Sequence, residues 1–305
     1  NCVYWRWCTL KGMQSKYRQI PKLTSTLYTG LMSVYSREEP ELFEKALESI
    51  LMQTCRPTYF VLVKDGALGK ELNEIIKNQR RRFQTFNIEF IEITNRENYG
   101  LGRSLNIGLK ECPTELVARF DSDDINFAER MEKTISYYSS TPDLAVLGTQ
   151  IYEFDNKRND PPVIKSVPRS LNCIRNKARK RNPFNHMSVT FRKSVIESVG
   201  GYQNVSLFED YYLWVRVIQN KYRVGNLNDV LVCAHVDKYF VYKRGGFSYF
   251  KKESFFQYLL LKLNFINKPQ FLFNILTRGG SRLIPKRFLM LIYRKLRKCS
   301  YVNGG

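Results

Sequence analysis

The sequence predicts an α/β fold, a mainly parallel sheet with helices on both faces, followed by a basic helical extension. Three observations carry that expectation. Short apolar, β-branched runs alternate with segments of helical spacing across residues 27–148, joined by brief polar connections. Polar stations stand at or just past the carboxyl ends of the predicted strands, where open α/β sheets bind ligands. The polarity also inverts within Leu116-Val-Ala-Arg-Phe-Asp-Ser-Asp-Asp124, from an apolar run into three carboxylates in four residues.

The elements follow in order. Leu27 to Tyr35 reads as a first strand. Ser36-Arg37-Glu38-Glu39 matches a capping box, with Pro40 tolerated in a first turn. The helix after it carries Leu42, Phe43, Ala46, Leu47, Ile50 and Leu51 on one face. Tyr59–Val63 is a second strand ending at Asp65-Gly66, and a polar helix covers about Lys70 to Phe83. Ile88–Ile93 alternates as a strand, and Asn98-Tyr-Gly-Leu-Gly102 breaks the chain before a helix with Leu105, Ile107 and Leu109. Leu116–Phe120 is the strand that leads into the acids. A helix near Ala128–Ser139 and a strand from Leu144 follow.

Carboxylates gathered as Asp121, Asp123 and Asp124 repel one another, and a hard divalent cation, Mg²⁺ or Mn²⁺, is the usual remedy. The same acids also suit a solvated turn capping the next helix. Their neighbours decide for the functional reading: Ser33/Tyr35, Asp65, Asn98–Arg103 and Asp121–Asp124 all converge on one sheet edge.

Composition narrows the partners. With 49 Lys plus Arg against 28 Asp plus Glu, the net charge of +21 favours polyanions: nucleic acid, anionic lipid or phosphorylated substrates. No nucleic-acid recognition motif accompanies the charge, so nucleic acid is not the expected partner. The seven cysteines are scattered without a C-x-x-C pair, which fits a reducing compartment better than a disulfide framework. Two histidines make a His-rich metal site improbable. No apolar run reaches the roughly 18–20 residues that span a bilayer. Residues 1–25 read as an N-terminal extension whose first dozen residues are non-native, with Met13 as the natural start.

The ordered set of motifs resembles an inverting family-2 glycosyltransferase of the GT-A (Rossmann-like) fold, of the kind that builds bacterial O-antigen, capsule or exopolysaccharide. It runs from about Leu31 to Arg216. Its pieces are Leu31-Met-Ser-Val-Tyr35 with Glu38, Leu47–Thr54, Val63-Lys-Asp-Gly66, Asn98–Asn106, Arg119–Asp124, Arg181–His186, and Gly200-Gly-Tyr202 leading to Phe208–Arg216. Ser33-Val-Tyr-Ser36 departs from the family's frequent Pro-x-Tyr-Asn, and the Gln-x-x-Arg-Trp motif of processive synthases is missing, which points to transfer of single sugars. The resemblance implies a nucleotide-diphosphate sugar donor, foremost a UDP-sugar. Tyr35 would line the base, Ser33 touch it and Asp65 accept from the uracil N3–H, while Arg103 and Glu38 join the nucleotide side. Asp121 would meet the ribose and the metal, and Asp123 would ligate the Mn²⁺ or Mg²⁺ that bridges both phosphates.

For the acceptor, the resemblance implies Asp210 as general base with Glu209 beside it. An acidic first helical turn is the plain alternative. His186 would shape the acceptor site, and Arg181, within Lys177-Ala-Arg-Lys-Arg181, would meet the diphosphate of a polyprenyl-linked sugar.

The expected domains are residues 26–238, with a donor half at 26–125 and an acceptor half at 126–238, and a basic amphipathic tail at 239–305. In that tail Phe288–Tyr293 pairs an apolar face with flanking Arg and Lys, as helices lying in a membrane interface do. The expected location is cytoplasmic, peripheral on the inner face of the cell membrane. Two other readings are a nucleotidyltransferase that makes an activated sugar and a non-catalytic basic membrane-binding module. The first lacks an early Gly-rich triphosphate loop; the intact Asp121-x-Asp123 and Glu209-Asp210 weigh against the second.

Overall fold

A computed structural model describes residues 17–23, 25–154, 163–236 and 245–282. The chain alternates β1 (Tyr28–Val34), α1 (Pro40–Leu51), β2 (Tyr59–Lys64), α2 (Lys70–Thr85), β3 (Glu89–Thr94), α3 (Leu101–Glu111) and β4 (Leu116–Arg119). After the acids come β5 (Ile125–Asn126), α4 (Arg130–Ser140), β6 (Leu144–Phe154), β7 (Val163–Lys165) and α5 (Leu171–Ala178). Then follow β8 (Thr190–Arg192), α6 (Lys193–Ser198), α7 (Glu209–Gln219), β9 (Arg223–His235), α8 (Phe247–Lys262) and α9 (Lys268–Asn274).

The strands form one sheet in the order β3-β2-β1-β4-β8-β6-β9-β5, with β7 paired to β6. The pairs β3–β2, β2–β1, β1–β4 and β6–β9 are parallel, and only the short strands β8, β5 and β7 run in reverse. The sheet is therefore mainly parallel, and the strands β1 to β4 all deliver their carboxyl ends to one edge.

Strand periodicity divides the core into two layers. Leu31, Val61 and Val63 point to the side of α3, α5 and α7, where they pack with Leu105, Ile174, Leu213 and Trp214. Met32, Val34, Phe60 and Leu62 point the other way, toward Phe43, Leu47, Ile76, Phe83 and Met131 of α1, α2 and α4. Helices cover both faces, as expected, because both faces of each central strand are apolar. All six residues assigned to the buried face of α1 are buried.

The capping box is corrected. Glu39 is the N-cap of α1 and no side chain caps it, while Pro40 sits in the first turn. The helix starts at Pro40, so Glu39 stands at the cap itself and not at the third helical position from which it would close a box on Ser36. Glu38, beside it, accepts from the Ser122 hydroxyl through Oε2.

The extension also packs. Phe208 stacks on Phe256 with ring centroids 4.7 Å apart, and Tyr211 lies 4.6 Å from the same ring. Tyr249, Phe256, Leu260 and Ile266 thereby share a core with α7. No helix among the described residues is long and apolar enough to cross a membrane. Phe288–Tyr293 lies outside the described residues.

Candidate active site

The cleft is built at the carboxyl edge of β1, β2 and β4. Ser33 is buried near the end of β1 and Tyr35, just beyond, is exposed. Asp65 follows β2 and is buried with a full set of donors. Its Oδ1 accepts from Asn95 Nδ2 (3.0 Å) and the Tyr99 N–H (2.8 Å), and its Oδ2 from the Gly100 N–H (2.9 Å). Asp65 thus clasps the loop that leads into α3. Gly100 adopts φ +86°, a conformation that favours glycine, and this turn aims those N–H groups back at the carboxylate. Arg103 is exposed on the first turn of α3, with its guanidinium 3.8 Å from the Tyr99 ring centre.

The acidic strand end is held from beneath by two buried arginines. Arg119 pairs with Asp121 and donates to the Phe120 carbonyl. Arg130 donates to the Arg119 carbonyl at 2.7 Å and stacks 4.5 Å from the Phe120 ring, and burial lowers its pKa to about 10. The carboxyls nevertheless crowd. Burial, with Asp121 and Asp123, raises Asp124 well above the carboxylate range. Burial also raises Asp121, Arg119 opposing and Asp123 and Asp210 adding to it. Glu38 is pushed to about 7, first by burial and then by Asp123 and Asp121.

Oxygens of Asp121, Asp123 and Asp124 all lie within 4.8 Å of one another. A set of hard oxygen donors with excess negative charge fits a Mg²⁺- or Mn²⁺-class ion. His235, at the end of β9, joins them: its Nδ1 is 3.5 Å from Asp123 Oδ2, and its backbone N–H donates to Asp124 Oδ1 at 2.8 Å.

Glu209 and Asp210 open α7, as the sequence suggested, and their carboxylates favour the helix's positive end. Asp210 Oδ1 accepts the Tyr211 N–H at 2.7 Å and Oδ2 accepts Asn182 Nδ2 at 2.6 Å. Asp210 adds, as the smallest of the named causes, to the upward shift of Asp121. Glu209 packs over Gly102, where an added Cβ would come within 3.2 Å of Glu209 Cγ, and burial raises the Glu209 pKa. His186 bonds through Nε2 to the Tyr202 hydroxyl at 2.9 Å and sits beside Trp214. Burial, aided by Arg119, holds its pKa well below 6.5, so the ring stays neutral. Arg181 is exposed beyond α5.

A family model, "Glycosyl transferase family 2", matches residues 31–200. The chain belongs to glycosyl transferase family 2. It is a glycosyltransferase, 37% identical over 88% of its length to the UDP-Gal:α-D-GlcNAc-diphosphoundecaprenol β-1,3-galactosyltransferase of Escherichia coli, of which 96% is covered. It is 36% identical over 89% of its length to the amylovoran biosynthesis glycosyltransferase AmsE of Erwinia amylovora, covered in full at 100%. Among solved structures, S. aureus TarS 1-349 in complex with UDP superposes at a TM-score of 0.59 and 16% identity, over 84% of this chain and 71% of that one. The mannosyltransferase PcManGT of Pyrobaculum calidifontis, bound to GDP-Man and Mn²⁺, matches at 0.59 and 16%, over 95% and 79%. Both share the GT-A fold. The transferase spans only 43% of the longer S. aureus TarS chain it also matches.

Four residues of the transferase's cleft escaped the sequence reading. Asp124 was read with the acidic turn but not as a ligand, and Arg119 only as a motif residue. His235 was counted only as one of two histidines, although it ends a strand as the other polar stations do. Asn182 precedes a proline in an ordinary loop, and nothing in the sequence marks its amide as the group that grips Asp210.

Proposed function

We propose that this transferase moves a single sugar, with inversion, from a UDP-sugar to a lipid-linked saccharide in surface-polysaccharide assembly, using a divalent cation. The observation that carries the reading is the cluster of Asp121, Asp123 and Asp124 oxygens within 4.8 Å of one another, supported by the acidic start of α7, where Glu209 packs over Gly102 at the head of α3. Asp121, Asp123 and Asp124 would hold the ion, with His235 beside Asp123. When bound, the ion supplies Lewis-acid stabilisation of the charge that gathers on the departing diphosphate.

The chain's own residues do the rest. The Asp65 clasp fixes the Tyr99–Arg103 segment, which puts the Arg103 guanidinium at the nucleotide side. Ser33 and Tyr35 line the base. Asp210 takes the proton of the attacking acceptor hydroxyl, a contribution of about 10²–10⁴ in rate. Its carboxylate is oriented for this by Asn182 and by the Tyr211 N–H. Glu209 borders the acceptor, and His186, neutral and hydrogen-bonded, supports that wall through Tyr202.

The acceptor's diphosphate would lie against the Lys177–Arg181 cluster. Membrane contact would follow from α8, which has a second apolar face: Phe247, Phe255 and Tyr258 are exposed, with Lys251 between the two phenylalanines and Lys262 one turn beyond Tyr258. Such a face suits an anionic bilayer at the cytoplasmic side. The relatives' names set the first substrate pair to try, UDP-galactose with a GlcNAc-diphosphate lipid, alongside UDP-glucose and UDP-GlcNAc. The test is UDP release with Mn²⁺ or Mg²⁺, paired with Asp210→Asn. The expected result is metal-dependent release with the lipid acceptor and its loss in Asp210→Asn, which still binds UDP. Full transfer by Asp210→Asn would remove the base assignment.

A further inference from the structure

We infer that the C-terminal helices complete the catalytic site, with Arg278 a positioning residue for Asp210. This inference rests on the proposed role of Asp210 as base.

The observations run from the helices inward. Glu253 of α8 is fully buried, and Arg278 meets both its oxygens, Nε to Oε1 at 2.8 Å and Nη2 to Oε2 at 3.2 Å. A buried carboxylate held by a planar guanidinium fork has one geometry, so Arg278 is fixed in direction. Its remaining nitrogen, Nη1, donates to the Lys180 carbonyl at 2.6 Å. Asn274, one helical turn earlier, donates through Nδ2 to the Arg179 carbonyl at 2.8 Å and to Gln257 Oε1 at 2.8 Å. Asn274 precedes and Arg278 lies within the π-helical turn Ile275–Gly279, a rare conformation in which Gly279 packs against the Phe250 ring.

Arg179 and Lys180 carry carbonyls that the end of α5 cannot satisfy internally. The residue before them is held as well, because the Tyr211 hydroxyl donates to the Ala178 carbonyl at 2.8 Å. Two residues past Lys180 stands Asn182. Its Oδ1 accepts the Phe184 N–H at 3.2 Å, which turns its Nδ2 to Asp210 Oδ2 at 2.6 Å. The segment from Ala178 to Asn182 is thus clamped by α8 and the π turn on one side and delivers an amide to the acid on the other. Without Arg278, the Lys180 carbonyl would lose this donor and Glu253 both guanidinium bonds, keeping the Gln257 amide at 3.2 Å, and the segment would shift. A displacement of about 1 Å at a reacting group is enough to cost about 10²-fold in rate.

The test compares Arg278→Met, Arg278→Lys, Asn182→Ala and the double variant Asn182→Ala/Arg278→Met in the full chain. Arg278→Lys keeps a charge for Glu253 but cannot bridge to Lys180 as well, so it serves if the methionine variant folds poorly. The expected result is a kcat lowered about tenfold or more with UDP affinity and donor KM unchanged, and a double variant no slower than Asn182→Ala alone. Hydrogen exchange needs no substrate: Arg278→Lys is expected to speed exchange at residues 179–184 and at the Tyr211 amide, leaving β1–β4 unchanged. Wild-type kcat and unchanged exchange in both Arg278 variants would overturn the inference, as would independent, multiplying losses in the double variant. Activity in Asp210→Asn would instead overturn the base assignment, and this inference with it.

Discussion

Asp65→Asn separates a loop clasp from a base contact. In the wild type three N–H groups converge on the buried carboxylate, two on Oδ1 and one on Oδ2. An asparagine keeps one carbonyl oxygen. With that oxygen toward Asn95 and Tyr99, its NH₂ faces the Gly100 N–H, so one buried backbone donor is orphaned. An orphaned donor costs about 1–3 kcal/mol, and each of two bonds downgraded from charged to neutral costs about 1 kcal/mol more. The sum is about 3–5 kcal/mol, a lowering of the melting temperature by roughly 5–8 °C for a chain of 305 residues. Urea denaturation followed by far-ultraviolet circular dichroism measures it, and UDP titration of the folded variant measures what the loosened loop does to the nucleotide side. If the urea midpoint matches wild type while UDP affinity falls, the clasp account is wrong and Asp65 acts on the base alone.

Four further outcomes are expected. Gly201→Ala places a side chain at φ +59° and a Cβ 2.6 Å from Asn106 Oδ1, whose amide is pinned to both backbone groups of Tyr202. It should destabilise by about 1–3 kcal/mol in the same urea assay. His186, its pKa held below 6.5 in the fold, takes up its proton only on unfolding, so its stabilisation is present above about pH 6.5 and lost as pH falls below it. His186→Gln should flatten that acid-side slope, read from urea midpoints at pH 5.5 and 7.5. Asp123→Ala should abolish the Mn²⁺-dependent part of UDP binding in calorimetric titrations, and equal Mn²⁺ enhancement in the variant would exclude Asp123 as a ligand. For the membrane face, Phe255→Glu with Tyr258→Glu is a better probe than truncation from Lys243, which would strip Phe256 and Leu260 from the α7 core. The pair should lower co-sedimentation with phosphatidylglycerol vesicles and leave turnover on a soluble acceptor intact.

The sequence by itself determined the layers and the edge. The unbroken apolar run Tyr59–Val63 and the helical spacing in Leu42–Leu51 are local patterns, and burial follows them directly because a strand apolar on both faces is buried on both and a helical stripe on one. The parallel order of β1 to β4 then forces Tyr35, Asp65, Arg103 and Asp121–Asp124 to one side. Tertiary structure alone decided what those residues hold. Asp65 became a clasp because a loop thirty-odd residues away returned its N–H groups, and Glu38 meets Ser122 across 84 positions. His235 reaches Asp123 only because β9 pairs with β5 directly after the acids. Asn182, Glu253 and Arg278 converge on Asp210 through contacts that span up to 98 residues. Such partnerships carry no periodic signal: each is fixed by where the chain returns, and only packing records that.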